Sequence, residues 1–285
     1  MYKCGIIHDD ETVWLTGQED KWQIFDIQGL NPPSAQITLT NIVGMDGALY
    51  NSSQLTTRNI VIYLRLNGDV EANRHTAEGY FAVNKQIRLR YVTETRDMYI
   101  DCRIERCEYD PFTSSEIMQI SLICPDPLWK DMEERIFYLS NDQDGVEFPL
   151  YINRSSKIPF SELKSGRTTR VWTGTAIPLP CEITVEVLGS ISSFIIQNVL
   201  NGEFIKITKS LTAGDVVRID TDPMNLTVVQ VNGMVEENIF SYVDPDSTMF
   251  QLINADQIFG YSVDNHAGDN NVRITMKFRK RFRGV

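Results

Sequence analysis

The sequence predicts a mainly β protein with two domains. Apolar and polar residues alternate with a period of two along much of the 285 residues, as they do in strands that bury one face. In the second half, tight-turn signals separate these runs at short intervals, which favours a β-sandwich there. A chain of this length accommodates about two ordinary domains. We therefore divide it into an N-terminal domain at 1–140, a connecting segment at 141–175 and a C-terminal domain at 176–285.

The N-terminal domain is predicted to be barrel-like or sandwich-like, with one helix. Arg58–Leu66 is rich in β-branched and aromatic residues and predicts a strand. Residues 44–57 before it are rich in Gly, Asn, Ser and Thr and indicate a long loop. Asp69 is a suitable N-cap for a helix over Val70–Val83, in which Val70, Ala77 and Phe81 share one face.

A long β-hairpin is predicted after the helix, over residues 86–104. Arginines alternate with Ile87, Leu89 and Tyr91 in its first strand, so one face is cationic and the other apolar. A further strand at Ile117–Leu122 runs into Cys124-Pro125-Asp126-Pro127-Leu128-Trp129. The two prolines end that strand, since proline has no N–H and restricts the residue before it.

The C-terminal domain is predicted from its strands and turns. Strands are expected at 182–187 and 216–220, and hairpins at Asn201-Gly202 and Asn232-Gly233, because Asn-Gly favours tight hairpin turns. Apolar residues alternate with charges at the end of the chain, which favours a final strand with an exposed cationic face and a subunit contact. Five of the last nine residues are basic, namely Lys277, Arg279, Lys280, Arg281 and Arg283.

Charge and composition limit the classes of function. The net charge of −11 repels a phosphate backbone, which argues against nucleic-acid binding as a general function. No apolar run approaches the roughly 18 residues that span a bilayer, and the N-terminus lacks the pattern of a signal peptide. We therefore expect no membrane insertion. We expect synthesis in a cytoplasm, where the five cysteines are buried free thiols.

The sequence offers no recognisable motif for catalysis or for metal or nucleotide binding. The three histidines have no neighbours that make a hydrolase, zinc or nucleotide-binding motif. The spacing of Cys102, Cys107 and Cys124 does not suit a zinc knuckle. The loop at 264–271 is rich in oxygen ligands but lacks the spacing of an EF-hand. Asp220 and Asp222 are better explained as caps of a turn before Pro223. We predict no catalytic, cofactor or metal residues and no cofactor.

Several short segments, in this order and spacing, resemble the distal tail proteins (Dit) of long-tailed phages. The strand at Arg58–Ile62, the helix followed by the hairpin, and Cys124–Trp129 resemble the N-terminal domain of that family. Segments of the second half that resemble its C-terminal domain are Phe148-Pro149-Leu150, Gly174-Thr175-Ala176, Asn201-Gly202, Asn232-Gly233 and Phe278 to Gly284. One departure is Asn254-Ala255-Asp256-Gln257, where a glycine-rich turn is expected.

The resemblance implies a structural phage tail protein of the virion, not an enzyme. In that family, six copies form a ring at the distal end of the tail tube, and the N-terminal domains line a channel for DNA. The implied partners are further copies in one or two rings, the tail tube protein and the tail-associated hub protein of the baseplate. DNA passes through without being specifically bound. The C-terminal domain is then a galectin-like sandwich that points outward, towards a receptor-binding protein or a host-surface glycan.

The helix and the hairpin of one copy can dock on the next copy in such a ring. The candidate ring-interface residues are Arg74, Tyr80, Phe81, Arg88, Arg90, Tyr91 and Tyr99.

Two other readings stay open. The all-β second half and its tryptophans fit a carbohydrate-binding or receptor-binding module of a tail or of a phage-tail-like bacteriocin. A hydrolase of cell-wall sugars needs convergent carboxylates, for which the sequence offers no motif.

Overall fold

The computed structural model describes residues 2–8, 11–110, 116–139, 168–254, 257–264, 266–267 and 271–285. They form two compact units, one of Met1–Glu133 with Arg281–Val285 and the other of Glu134–Lys280. The predicted connecting segment lies largely outside the described residues, so the predicted domain boundaries stay a prediction. The mainly β fold class is confirmed.

Antiparallel strands build the first unit. Their bounds are β1 Lys3–His8, β2 Glu11–Trp14, β3 Trp22–Gln28, β4 Ala35–Asn41, β5 Ala48–Leu55, β6 Arg58–Leu66, β7 Gln86–Val92, β8 Asp97–Tyr109, β9 Ile117–Cys124 and β10 Trp129–Tyr138. The hydrogen-bonded order is β2-β1-β7-β8-β9-β6-β3, and the start of β10 pairs with β8. Within the described residues β2 and β3 end this order without pairing to each other, so the predicted barrel does not close.

The core of the first unit follows from the period of two. In β6, Ile60, Ile62, Leu64 and Leu66 are buried, and the residues between them face the other way. Strands β7, β8 and β9 contribute alternate residues to the same core. Burial of each such side chain contributes about 1.5–3 kcal/mol, which is why the predicted strands and the predicted hairpin both form.

The predicted helix is confirmed as α1, Val70–Tyr80. Asp69 is its N-cap, since the Asp69 carboxylate accepts a hydrogen bond from the backbone N–H of Ala72 at 3.2 Å. The helix ends three residues before the predicted end, and Phe81 N–H still donates to the carbonyl of Ala77. Ala77 and Phe81 are both buried in the core of the first unit.

The predicted loop at 44–57 is wrong. Most of it is β5, which pairs with β4 in a separate two-stranded sheet with a bulge between Thr38 and Leu39. Gly44 and Gly47 form its turn, with φ of +84° and +91°. All residues of both strands are exposed, so the strands carry no clear inside–outside alternation that the sequence could display.

The second unit is a β-sandwich, as predicted. Its strands are β11 Thr168–Val171, β12 Glu182–Val187, β13 Phe194–Asn198, β14 Phe204–Ile207, β15 Val216–Asp220, β16 Thr227–Asn232, β17 Val235–Asn238, β18 Gln257–Val263, β19 His266–Ala267 and β20 Val272–Phe282. One sheet has the order β17-β16-β15-β12-β20 and the other β11-β18-β13-β14. Side chains from both sheets form one core, and both predicted Asn-Gly hairpins are present.

The basic residues near the C-terminus are not a freely exposed cationic face. In β20, Val272, Ile274, Met276 and Phe278 are buried, which confirms the predicted final strand. Cations of β20 lie near acidic partners: Arg279 lies 3.4 Å and Lys277 3.9 Å from the Glu134 carboxylate, and Arg281 lies 3.5 Å from Asp126. These ion pairs neutralise much of the predicted positive face.

A buried arginine holds the first unit together. Arg58 is 3% exposed, and its guanidinium donates to the backbone carbonyls of Gly29 and Asn31 at 2.8 Å, of Pro127 at 2.9 Å and of Arg283. We call these residues the Arg58 cluster. Burial lowers the pKa of Arg58, an effect that Cys124 partly offsets. The carbonyls supply the hydrogen bonds that a buried cation needs.

Two glycines allow segments to approach each other around this cluster. At Gly29, with φ +86°, a Cβ atom would lie 2.1 Å from the carbonyl oxygen of Asn59. At Gly284, a Cβ atom would lie 3.1 Å from the Pro32 ring. The first of these contacts leaves room only for glycine.

We predict that Arg58→Lys lowers the free energy of unfolding of the first unit by about 2–4 kcal/mol. An ammonium cannot reach all the carbonyls of the Arg58 cluster, and each buried carbonyl left without a donor costs about 1–3 kcal/mol. Urea denaturation followed by tryptophan fluorescence measures the change, because Trp22 and Trp129 are buried in the first unit. The control is Arg88→Lys, a side chain that is 53% exposed. Equal stability of the two variants contradicts the prediction.

Phe81→Ala is predicted to destabilise the first unit by about 3–5 kcal/mol, because it leaves a cavity in the core. Val83→Ala, at a site exposed to solvent two residues further on, should change stability by at most about 0.5 kcal/mol. Thermal unfolding of both variants makes the comparison. A mild effect of the Phe81 substitution on stability, combined with a loss of self-association, would restore Phe81 as an interface residue.

Candidate assembly surfaces

One face of the strands β2, β1, β7 and β8 carries an ordered set of charges. The register places Trp14, Gly5, Arg90 and Tyr99 side by side, with Lys130 of β10 next to Tyr99. A Cβ atom at Gly5 would lie 3.0 Å from the indole of Trp14, so glycine leaves space for that ring. The Arg90 guanidinium lies 5.2 Å from the centroid of Trp14, a cation–π geometry. We call this surface the charged face.

Ion pairs hold the side chains of the charged face in place. The Asp97 carboxylate lies 2.6 Å from Arg90, and this hydrogen bond raises the pKa of Arg90. Asp101 lies 3.2 Å from Arg88 and 2.8 Å from Lys130. Partly exposed pairs of this kind contribute little stability, about 0–1 kcal/mol each. Their effect is to fix a pattern of charge on the surface.

Three of the predicted ring-interface residues lie on the charged face. They are Arg88, Arg90 and Tyr99, and the Arg88 guanidinium lies 5.5 Å from the Tyr99 ring centroid. Tyr91 points to the opposite side, 6.1 Å from the centroid of Trp129, and packs against the core. Their role in a ring stays a prediction.

The other three predicted residues belong to α1 and its C-terminal end. Arg74 makes a two-pronged ion pair with the buried Glu116, at 2.7 and 3.1 Å. The ring of Tyr80 lies 6.0 Å from that of His8. Phe81 is 1% exposed and is therefore not available to a neighbouring copy in this conformation. Because Phe81 is buried, the predicted ring-interface residues of the helix and of the hairpin do not form one exposed patch that includes it.

Most of the exposed large hydrophobic side chains among the described residues of the first unit lie on the hairpin of β4 and β5, which sequence reasoning missed. Ile37 and Leu39 lie on one face of β4 and pair with Ser53 and Tyr50 of β5. We call this hairpin, with its turn, the apolar hairpin. Its large hydrophobic side chains are between 41% and 102% exposed, namely Ile37, Leu39, Ile42, Val43, Met45, Leu49, Tyr50 and Leu55. In the sequence, the apolar residues Ile37, Leu39 and Ile42 hint at an apolar run here, but they do not show that its side chains are exposed.

The residues considered for chemistry have structural roles. Burial raises the pKa of Cys4 and of Cys181 to about 12, so both are protonated core thiols. Asp220 and Asp222 accept hydrogen bonds from the N–H groups of their own turn, as predicted. The carboxylate of Asp264 accepts from the N–H and hydroxyl of Ser192, and the hydroxyl bond lowers its pKa.

Two further observations concern possible ligands and membranes. Among the described residues, no group of three His, Cys, Asp or Glu side chains is arranged to hold a metal ion, and half of the loop at 264–271 lies outside them. The part of the chain that the structure describes contains no helix long and apolar enough to span a bilayer.

Known proteins resemble this chain in two ways: a family model matches part of the sequence, and solved structures match the whole fold. The family described as siphovirus-type tail component, C-terminal domain, matches residues 173–282. The structure of Dit (gp 19.1) of phage SPP1, described as a paradigm of the hub adsorption apparatus in phages infecting Gram-positive bacteria, is similar over 99% of both chains, with a TM-score of 0.70 and 13% identity. A chain of the phage P2 baseplate, solved in its activated conformation with calcium, gives a TM-score of 0.60 and 16% identity over 100% of this chain and 99% of that chain.

A second baseplate structure of phage p2, in the activated conformation with strontium, gives the same values. No curated protein sequence matches the chain. The resemblance to distal tail proteins is thereby confirmed: the model of the siphovirus-type tail component family matches residues 173–282, and the chain as a whole has the fold of the SPP1 Dit structure.

Proposed function

We propose that the chain is a distal tail protein that forms a ring of six copies at the end of a phage tail tube. It joins the tube to the tail-associated hub protein and the baseplate, and it leaves a channel for DNA. It acts through its surfaces and not as a catalyst. Its place is the virion, at the distal end of the tail, after synthesis in the host cytoplasm.

The apolar hairpin carries this proposal. An isolated two-stranded hairpin is at best marginally stable in water, and contiguous exposed apolar surface usually marks an interaction site. A second copy of the chain is the occupant that a ring requires, because one head-to-tail interface repeated around an axis closes the assembly. Each such contact should bury on the order of 1,600 Å² or more.

Two further observations support the ring. The chain has a net charge of −11, so an inner wall of this composition repels DNA and lets it slide. Similar chains belong to a hub adsorption apparatus and to a baseplate, which are assemblies of tail proteins. The charged face, with its fixed pattern of ion pairs, provides a second surface that selects the orientation of a neighbour.

Receptor or glycan binding by the second unit is the second candidate function. The observation that favours it is Trp172, whose side chain is 61% exposed, since an exposed indole can stack on a sugar ring or anchor a protein contact. This function is compatible with a ring formed by the first unit.

We predict that the double substitution Ile37→Ser and Leu39→Ser weakens self-association by about a hundredfold. Each of these side chains contributes about 1.5 kcal/mol when it is buried at an interface, and about 3 kcal/mol corresponds to a little more than two powers of ten. Sedimentation velocity over a range of concentrations measures the association of the full chain.

The matched control for this experiment is Gln36→Ser with Thr38→Ser, on the opposite face of β4. It should assemble like the unmodified chain, into a closed ring of six copies. A monomer at every concentration, or unchanged assembly of the Ile37 and Leu39 variant, contradicts the proposal.

A further inference from the structure

We propose that Cys102 and Cys124 are a redox-sensitive pair, whose thiols form a disulfide that cross-links strands β8 and β9 under mild oxidation. The chain has five cysteines, and all five are free thiols in this structure. The proposed function assigns no role to them, so this inference goes beyond it.

The register of β8 against β9 brings the two cysteines opposite each other. Arg103 pairs with Ile123 in this antiparallel ladder. Continuing the register by one residue places Cys102 opposite Cys124, the last residue of β9. The Cβ atoms of directly opposed residues lie about 4.5–5.5 Å apart, and a disulfide needs about 3.5–4.5 Å. A small shift of the two strands is therefore enough to form the bond.

Both side chains lie in the core of the first unit and contact each other there. Cys102 is 1% exposed and Cys124 0%. A hydrogen bond between the two thiols raises the pKa of Cys102, and burial raises it further. The Cys102 sulfur also lies 3.5 Å from the carbonyl oxygen of Ile87. The two sulfur atoms are thus neighbours before any oxidation.

A neighbouring cation makes Cys124 the group that attacks the oxidant. Arg58 pairs with Cys124 in the ladder of β6 and β9, and the Arg58 guanidinium interacts electrostatically with that sulfur. A nearby arginine favours the thiolate, which is the reactive form of cysteine. Cys102 is held in its thiol form and completes the bond.

Hydrogen peroxide is a small oxidant that can reach a buried sulfur through local opening of the strand ends. The Cys124 thiolate attacks one peroxide oxygen and the O–O bond breaks, which gives a sulfenic acid and hydroxide. The hydroxide takes up the proton that Cys124 released and becomes water. The Cys102 sulfur then attacks the sulfenic sulfur, the S–O bond breaks, and a second water leaves with the Cys102 proton. Two thiols and one peroxide give one disulfide and two waters.

Other residue types lie opposite the remaining three cysteines. The register places Tyr91 opposite Cys4 and Ile120 opposite Cys107. Cys181 belongs to the second unit, where its sulfur lies 3.6 Å from the Thr221 hydroxyl. The positions of the cysteines therefore favour one particular disulfide.

The expected effect of the disulfide is to stabilise the first unit. The bond closes the loop 102–124 and restricts the unfolded chain, which should raise the midpoint of thermal unfolding by about 10 °C. It forms next to Arg58, where the Pro-Asp-Pro segment begins, so it holds β9 in place at the Arg58 cluster.

Oxidation of the purified full chain tests this inference. The reduced protein is treated with a small excess of hydrogen peroxide under native conditions and is then unfolded in N-ethylmaleimide. Digestion with trypsin and chymotrypsin separates Cys107 from Cys124 before mass spectrometry without reduction. We expect two peptides joined through Cys102 and Cys124. The midpoint of thermal unfolding should rise by about 10 °C, and dithiothreitol should reverse the rise.

The matched controls are Cys102→Ala and Cys4→Ala, which each remove a buried thiol from the same core. The first should lose the cross-link and the rise of the midpoint, and the second should keep both. Each variant is compared with and without peroxide, so a general loss of stability does not affect the result. Full alkylation of Cys102 and Cys124 after peroxide, a disulfide to any other cysteine, or a cross-linked chain with an unchanged midpoint overturns the inference. None of these results affects the proposed ring.

Discussion

The first unit depends on the hydrogen bonds of one buried guanidinium. Arg58 donates to carbonyls from the turn at 29–31, from Pro127 and from Arg283, which are far apart in the chain. Because a buried cation is costly unless its donors are satisfied, these segments must be in place together. The Pro-Asp-Pro segment therefore ends strand β9 and also supplies an acceptor to this cluster.

Sequence rules predicted those elements that are determined by residues close together in the chain. The Asp69 cap, the alternation of Arg88 and Arg90 with Ile87 and Leu89, and the Asn-Gly turns all mark their structures in the sequence. The Arg58 cluster leaves no such mark, since its acceptors are backbone carbonyls, and every residue has one. The apolar hairpin was missed for another reason: with both faces exposed, its strands lack the alternation that burial imposes.

The candidate surfaces also combine features that the sequence predicted with features that only the structure revealed. The charged face was predictable as a row of arginines, but their pairing with Asp97 and Asp101 required the register of β7 against β8. Phe81 was predicted at an interface, and the structure places it in the core, because a helix face that is apolar in sequence can pack on its own sheet. Fold similarity at 13% identity indicates that burial pattern and turns constrain this fold more than residue identity does.

A chain that works as a repeated structural element around the tail axis is visible by cryo-electron microscopy of intact tails that contain it. We expect six copies around the axis at the distal end, with each apolar hairpin covered by the adjacent copy. Tails in which the chain is absent from the distal end, or in which the apolar hairpin faces solvent in every copy, would contradict this expectation.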